Sequence, residues 1–216
     1  LDATGRWGSL PCDVVQALEG GSMIRSAALS MALAMGGAGV ALAAPLPGDA
    51  SRTLRAGLPW ISVTLDPDGE SARIHAAIDI PAPAERIWRA MTDCRYAAKL
   101  VTSVTRCRVL QQGAGWDVRE HVTKGNLLLP TLRNVFRSDY EPYRRIRFRR
   151  VDGDLKAMEG EWTLTRLEQG DWTRVTYENR LAARILVPPA VVRAGLRKDT
   201  PKVLVNLRDV ARGSGE

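Results

Sequence analysis

The sequence predicts an α+β fold: a curved, seven-stranded antiparallel sheet wrapped around one long C-terminal helix, with two short helices after the first strand. Three observations carry this. Between residues 105 and 181, six runs alternate apolar and polar side chains with a period of two, separated by short turns. One more such run, 72–80, stands earlier and leads into a proline-opened helical stripe. After residue 188 the apolar spacing changes to that of a helix and holds to residue 210.

The elements follow in order. Residues 45–59 are rich in Pro and Gly and read as an arm or linker. Residues 61–65 alternate and suit a short strand before the turn Asp66-Pro67-Asp68-Gly69. In 72–80, Ile74, Ala76, Ile78 and Ile80 share one face, a half-buried strand. Pro81 and Pro83 suit a helix start, where amide donors lack partners in any case, and Ile87, Trp88 and Met91 give the stripe. A second short helix is expected over 96–101. Strands are expected over 105–111, 116–124, 132–140, 145–151, 158–167 and 173–181, with Gly113, Gly115, Gly125, Pro142, Gly153 and Gly170 at the turns. Pro188 and Pro189 open the last helix, and Thr200-Pro201 is expected to kink or restart it.

The first 43 residues stand apart. Met23-Ile24-Arg25 is a short positive start, 26–42 is uncharged and apolar, and Ala41-Leu42-Ala43 ends it with small residues. That layout is a secretory signal peptide, 23–43, with cleavage after Ala43 and a periplasmic or secreted product. Residues 1–22 then read as an over-extended gene start. The expected organisation is completed by an arm over 44–69, a domain over 70–212 and a tail over 213–216.

The chain has 216 residues, 45% of them hydrophobic, and a formal net charge of +7. Wholesale disorder is excluded. Losing the leader makes the charge more positive, since Arg6 and Arg25 leave with Asp2, Asp13 and Glu19. Such a charge favours loose contact with anionic membrane surfaces. Export removes nucleic acid as a partner. Three cysteines and two histidines are too few for a cysteine-rich zinc site. No phosphate loop, dinucleotide fingerprint or HExxH occurs, so neither cofactor nor metal is expected. Cys94 and Cys107 either pair in an oxidising compartment or pack as small apolar side chains.

Registers can be written from the turns. A two-residue turn at Gln169-Gly170 sets Trp162 opposite Tyr177 and Leu164 opposite Val175. A turn about Asp154 sets Arg149 opposite Glu159 and Arg147 opposite Glu161, a mutually neutralised outward face. Ile146, Phe148, Met158 and Gly160 then share the inward face with Trp162. In the 116–124 strand, Val118 and Val122 mark the inward face. Glu120 goes in with them, His121 goes outward with His75, and Arg166 shares the parity of Glu120. A buried carboxyl has a raised pKa unless paired and can serve as acid or base.

A seven-stranded sheet has one apolar face to cover, and a sheet gripping the final helix covers it and leaves a cavity. This order resembles the helix-grip fold of the START-like (SRPBCC) superfamily, which includes polyketide cyclase/dehydrases and coenzyme Q-binding proteins. The resemblance rests on Ile80-Pro81-Ala82-Pro83-Ala84-Glu85-Arg86-Ile87-Trp88 with Met91-Thr92-Asp93, on Gly153-Asp154-Leu155 with Gly160-Glu161-Trp162, on Thr173-Arg174-Val175-Thr176-Tyr177, and on Leu196 to Pro201 with Leu204 and Leu207. It implies a protein that binds a small hydrophobic molecule: a lipid, isoprenoid quinone or aromatic polyketide. Trp116, Phe136, Phe148, Met158, Trp162, Tyr177, Val192, Leu196 and Leu204 are the expected cavity residues. The alternatives are a cyclase or dehydratase using Glu120, Arg166, Tyr177 and Asn179, and a ligand-free envelope interaction module.

Overall fold

The computed structural model describes residues 46–67, 71–125, 130–168, 170–183 and 188–213. The expected leader, the segment before it and Gln169 lie outside them. The chain runs α1 (Gly48–Arg55), β1 (Trp60–Leu65), β2 (Ser71–Ile80), α2 (Ala84–Thr92), a 3₁₀ turn (Cys94–Tyr96), α3 (Ala97–Leu100), β3 (Val104–Gly113), β4 (Trp116–Thr123), β5 (Leu132–Glu141), β6 (Arg145–Gly153), β7 (Leu155–Arg166), β8 (Thr173–Ala183) and α4 (Pro189–Ala211).

All strands join one antiparallel sheet, ordered β1-β2-β8-β7-β6-β5-β4-β3. The sheet has eight strands where the sequence predicts seven. The additional strand is β1, the short strand expected over 61–65, which joins the sheet by pairing with β2 along its length (Val63 opposite Ile74). Residues 46–67 are therefore not a linker. In α1, Ala50 and Leu54 pack with Trp60 and Ala77 in a small separate core, and Trp60 Nε1 donates to Asp49 Oδ2 at 3.2 Å. A segment rich in Pro and Gly hides a helix because only two of its side chains need burial.

The main core lies between the sheet and the helices. Ile78 and Ile80 of β2, Val175 of β8, Ile87 of α2, and Leu204 and Leu207 of α4 are almost wholly buried. Each such side chain contributes about 1.5–3 kcal/mol by leaving water. The helix α4 runs unbroken through Pro201, where a kink or restart was expected. Apolar contacts on either side, Leu196 before and Leu204 after, hold it against the core and outweigh the missing amide. Asp93 accepts from Arg95 N at 2.9 Å and caps the 3₁₀ turn. Cys94 in that turn and Cys107 in β3 form a disulfide, with Cα atoms 5.4 Å apart.

Candidate functional site

A cavity of about 140 Å³ lies on the inner side of β4–β7. Phe136 (β5), Ile146 and Phe148 (β6) and Trp162 (β7) form its sheet wall. Met91 (α2), Leu100 (α3), Val101, and Val203 and Leu207 (α4) form its helix wall. Sheet registers put these side chains together. Phe148 opposes Gly160, and Trp162 opposes Ile146 on one side and Tyr177 on the other. The Trp162 and Tyr177 rings stack with centroids 4.0 Å apart, and Phe148 lies 6.2 Å from Tyr177. Asn206 Nδ2 donates to Leu100 O at 3.0 Å, tying α4 to α3 beside the cavity.

The cavity's polar edge comes from β4 and β5: Arg119, His121, Ser138 and Tyr140. Arg119 Nε donates to Asp117 Oδ1 at 3.2 Å, and its Nη2 to Asp117 Oδ2, to Tyr140 Oη at 2.7 Å and to Thr92 O at 3.1 Å. Tyr140 donates in turn to Asp117 Oδ2 at 2.7 Å. Burial disfavours the Arg119 charge, but Asp117 and Tyr140 outweigh it and hold its pKa above the ordinary value. Burial raises the Tyr140 pKa. Burial, with Arg119 nearby, lowers His121 to about 4, so it is neutral at pH 7. The His121 ring meets Phe136 edge-on, centroids 5.0 Å apart.

This inverts the expected parity of β4. His121 and Arg119 face in, and Glu120 faces out. Val118 and Val122 mislead because they share the outer face with Glu120, opposite Arg137 and Arg133 of β5. Glu120 is only 3% exposed, yet arginines cover it rather than core. Arg133 Nε donates to it at 2.6 Å, and Arg106 and Arg108 lie 3.1 and 3.7 Å away. The Arg133 hydrogen bond, against the effect of burial, holds its carboxyl below the usual range. Arg166 does not meet Glu120. It is exposed and lies 3.9 Å from Glu85.

Of the expected cavity residues, Phe136, Phe148 and Trp162 line the space. Tyr177 stands behind Trp162. Burial pushes its pKa up to about 12, and Asn179 Nδ2 donates to its hydroxyl at 2.7 Å. Leu204 is core, with Leu196 packed beside it. Met158 and Val192 are half-buried away from the cavity. Trp116 lies on the outer face under the Arg137 guanidinium, 4.2 Å from its ring centroid, because it shares the parity of Glu120. Met91, Leu100, Val101, Arg119, His121, Ser138, Tyr140, Ile146, Val203 and Leu207 complete the lining. Sequence reasoning already put Ile146 on the inner face. The signal for the polar edge was Asp117, Arg119 and His121 at a spacing of two, a charged row that neutralises itself.

A model of the family described as polyketide cyclase / dehydrase and lipid transport matches residues 80–208. No curated protein matches the sequence. Among the solved structures that share the architecture are the following three. The Zhui aromatase/cyclase from Streptomyces sp. R1128 is 18% identical, with a TM-score of 0.54 over 67% of this chain and 93% of that one. A STAR-related lipid transfer protein from Xanthomonas axonopodis is 14% identical, with a TM-score of 0.57 over 70% and 98%. The lipid transfer and protein localization domain of human StarD13 is 11% identical, with a TM-score of 0.58 over 74% and 85%. At these identities the likeness shows the fold, a START-like helix grip.

Proposed function

The chain belongs to the polyketide cyclase/dehydrase and lipid transport family, and from that premise we propose that it is an exported protein holding a small hydrophobic ligand between sheet and helices. The cavity carries this reading: an apolar space walled by Phe136, Phe148, Trp162 and Leu207, with one polar edge. Its size narrows the ligand. A space of about 140 Å³ compares with one that takes a benzene-sized molecule, and is smaller than the few hundred Å³ usual for drug-sized ligands. The portion held inside is one ring or one chain end. A longer lipid or isoprenoid tail requires α4 to move off the sheet. Contact with an anionic membrane is loose, because outward arginines are answered by carboxylates: Arg137 by Asp139, Arg147 by Glu141 and Glu161.

A cyclase- or dehydratase-type activity is the second reading, favoured by Tyr140 and His121 at the cavity edge. It ranks below binding. Tyr140 is bound to Asp117, and a histidine held near 4 is a weak base. A ligand-free module ranks third, since the protein's own side chains leave the space unfilled.

Native mass spectrometry of the chain purified from the envelope of its own host tests the proposal. The expected result is a chain cut after Ala43 carrying a stoichiometric small apolar compound. An apo mass that takes up none of a panel of hydrophobic fluorophores overturns it. Turnover of a polyketide-like substrate moves the assignment to the second reading.

A further inference from the structure

Three apolar residues of the cavity's helix wall, Met91, Leu100 and Val101, come from one short stretch of chain, the end of α2 and α3 with the residue after it. That stretch is lightly anchored. No residue from Cys94 to Ser103 is fully buried. Met91 and Leu100 rest half-buried against the main core. Asn206 of α4 donates to Leu100 O, and Arg119 donates to Thr92 O. Hydrogen bonds of this kind hold modestly once exchange with water is counted.

The covalent hold is different in kind. Cys94, in the 3₁₀ turn between Met91 and Leu100, is bonded to Cys107 of β3. Among the described residues, β3 contributes nothing to the cavity lining. It is the edge strand, paired with β4, and along it only Val104 is buried. Packing therefore does little to keep the stretch at this edge, and the disulfide fixes it there.

We infer that the Cys94–Cys107 bond is a strap that retains the ligand: it clamps the α2–α3 wall to the sheet edge, and cutting it speeds ligand release. This inference rests on the cavity-binding reading above. Both cysteines are partly exposed, which leaves the bond open to attack by a dithiol. In that exchange a thiolate of the dithiol attacks one sulfur and its second thiol completes the displacement. The dithiol's two hydrogens end on Cys94 and Cys107 as thiols, and the dithiol closes to its own disulfide.

Toluene is titrated into the full chain by calorimetry, and its release rate is measured by NMR exchange, in the oxidised chain and after reduction with dithiothreitol. Protected β2 and β8 amides in hydrogen exchange show that the sheet stays intact. Toluene binds the oxidised chain, and reduction speeds its release about tenfold, since changes at one interface act mostly on dissociation. Bridging the two reduced sulfurs with a methylene restores slow release. A xylylene bridge, which keeps the loop closed but slack, leaves release fast. Equal release from the oxidised and reduced chains overturns the inference and leaves the cavity reading standing, and so does fast release from the methylene-bridged chain. Failure of toluene to bind the oxidised chain overturns the cavity reading, and the inference with it. Should the reduced chain unfold, the xylylene form decides, because its closed loop retains the chain-entropy gain. Release as slow as from the oxidised chain then overturns the strap.

Discussion

Tyr140 gives its hydroxyl hydrogen to Asp117 Oδ2 at 2.7 Å, diagonally across the β4–β5 ladder, while accepting from Arg119 at the same distance. The phenol thus serves both members of a buried ion pair. Y140F removes both bonds and is expected to cost about 1–2 kcal/mol. D117A leaves the Arg119 charge buried and alone, and should cost about 3–5 kcal/mol. Urea unfolding of both variants measures this. A D117A loss no larger than that of Y140F would contradict the pairing.

Acid should weaken the fold in a window set by His121. Its pKa is about 4 in the fold against 6.5 for a free histidine. Between those values the unfolded chain binds a proton that the folded chain refuses, so stability falls as pH falls through the window. The loss approaches about 3 kcal/mol near pH 4. Burial is its main cause, with Arg119 adding to it and Asp117 opposing. Asp66, Asp93 and Asp152, held below 3.8 by arginines, contribute at lower pH. Denaturation midpoints between pH 7 and 4 should decline in wild type and stay flatter in H121Q.

Gly160 admits no side chain. A Cβ there would sit 2.0 Å from the Glu178 carbonyl oxygen and 2.8 Å from Asn179 Cα, and backbone cannot swing aside. G160A is therefore expected to destabilise by about 1–3 kcal/mol. The denaturation midpoint should drop with the slope unchanged. A neutral result would mean that β7 and β8 separate more easily than their register implies.

Reducing the Cys94–Cys107 bond frees a loop with a sequence separation of 13. The chain-entropy relation gives about 3 kcal/mol for it. Unfolding with and without reductant should differ by that order, and C94S/C107S should match the reduced protein. Equal curves would show that the bond constrains nothing.

Substituting Glu120→Gln tests the face on which it lies. Outside the cavity, among Arg106, Arg108 and Arg133, and absent from its lining, it should leave the affinity for toluene within about twofold of wild type, since a side chain that makes no contact with the ligand changes binding little. A tenfold change would return it to the inner wall.

Particular residues show how much was legible. The turns at Gly170 and Asp154 are short enough to dictate register, and Trp162 lies opposite Tyr177 and Arg149 opposite Glu159 as expected. The fold class followed from period, and so did the strand over 61–65, but not its place at the sheet edge beside β2. The parity of β4 did not follow. Its inner row is Asp117, Arg119 and His121, and its outer row carries Val118 and Val122. An alternation rule assumes that apolar means inward, and it fails where a buried ion pair, Asp117–Arg119, takes the inner row. The cavity was legible in its aromatic half, which belongs to well-registered strands. Its polar half was hidden by that single strand, and its helix wall required knowing which turn of α4 faces Leu100.

The pairing of β2 with β8 sets the order in which the molecule can be made. Thr173 Oγ1 donates across 91 residues of chain to Ala82 O, and Arg180 reaches back 114 residues to Asp66. Such joins come late, because the chain must spend its loop-closure entropy before they reward it. On the ribosome, the first two strands and α1 wait unpaired on one side until β8 has emerged. Until then β2 lacks the partner strand that covers its second edge. Whatever accompanies the nascent chain must shield β2, with its buried Ile74, Ile78 and Ile80, for nearly the whole of synthesis.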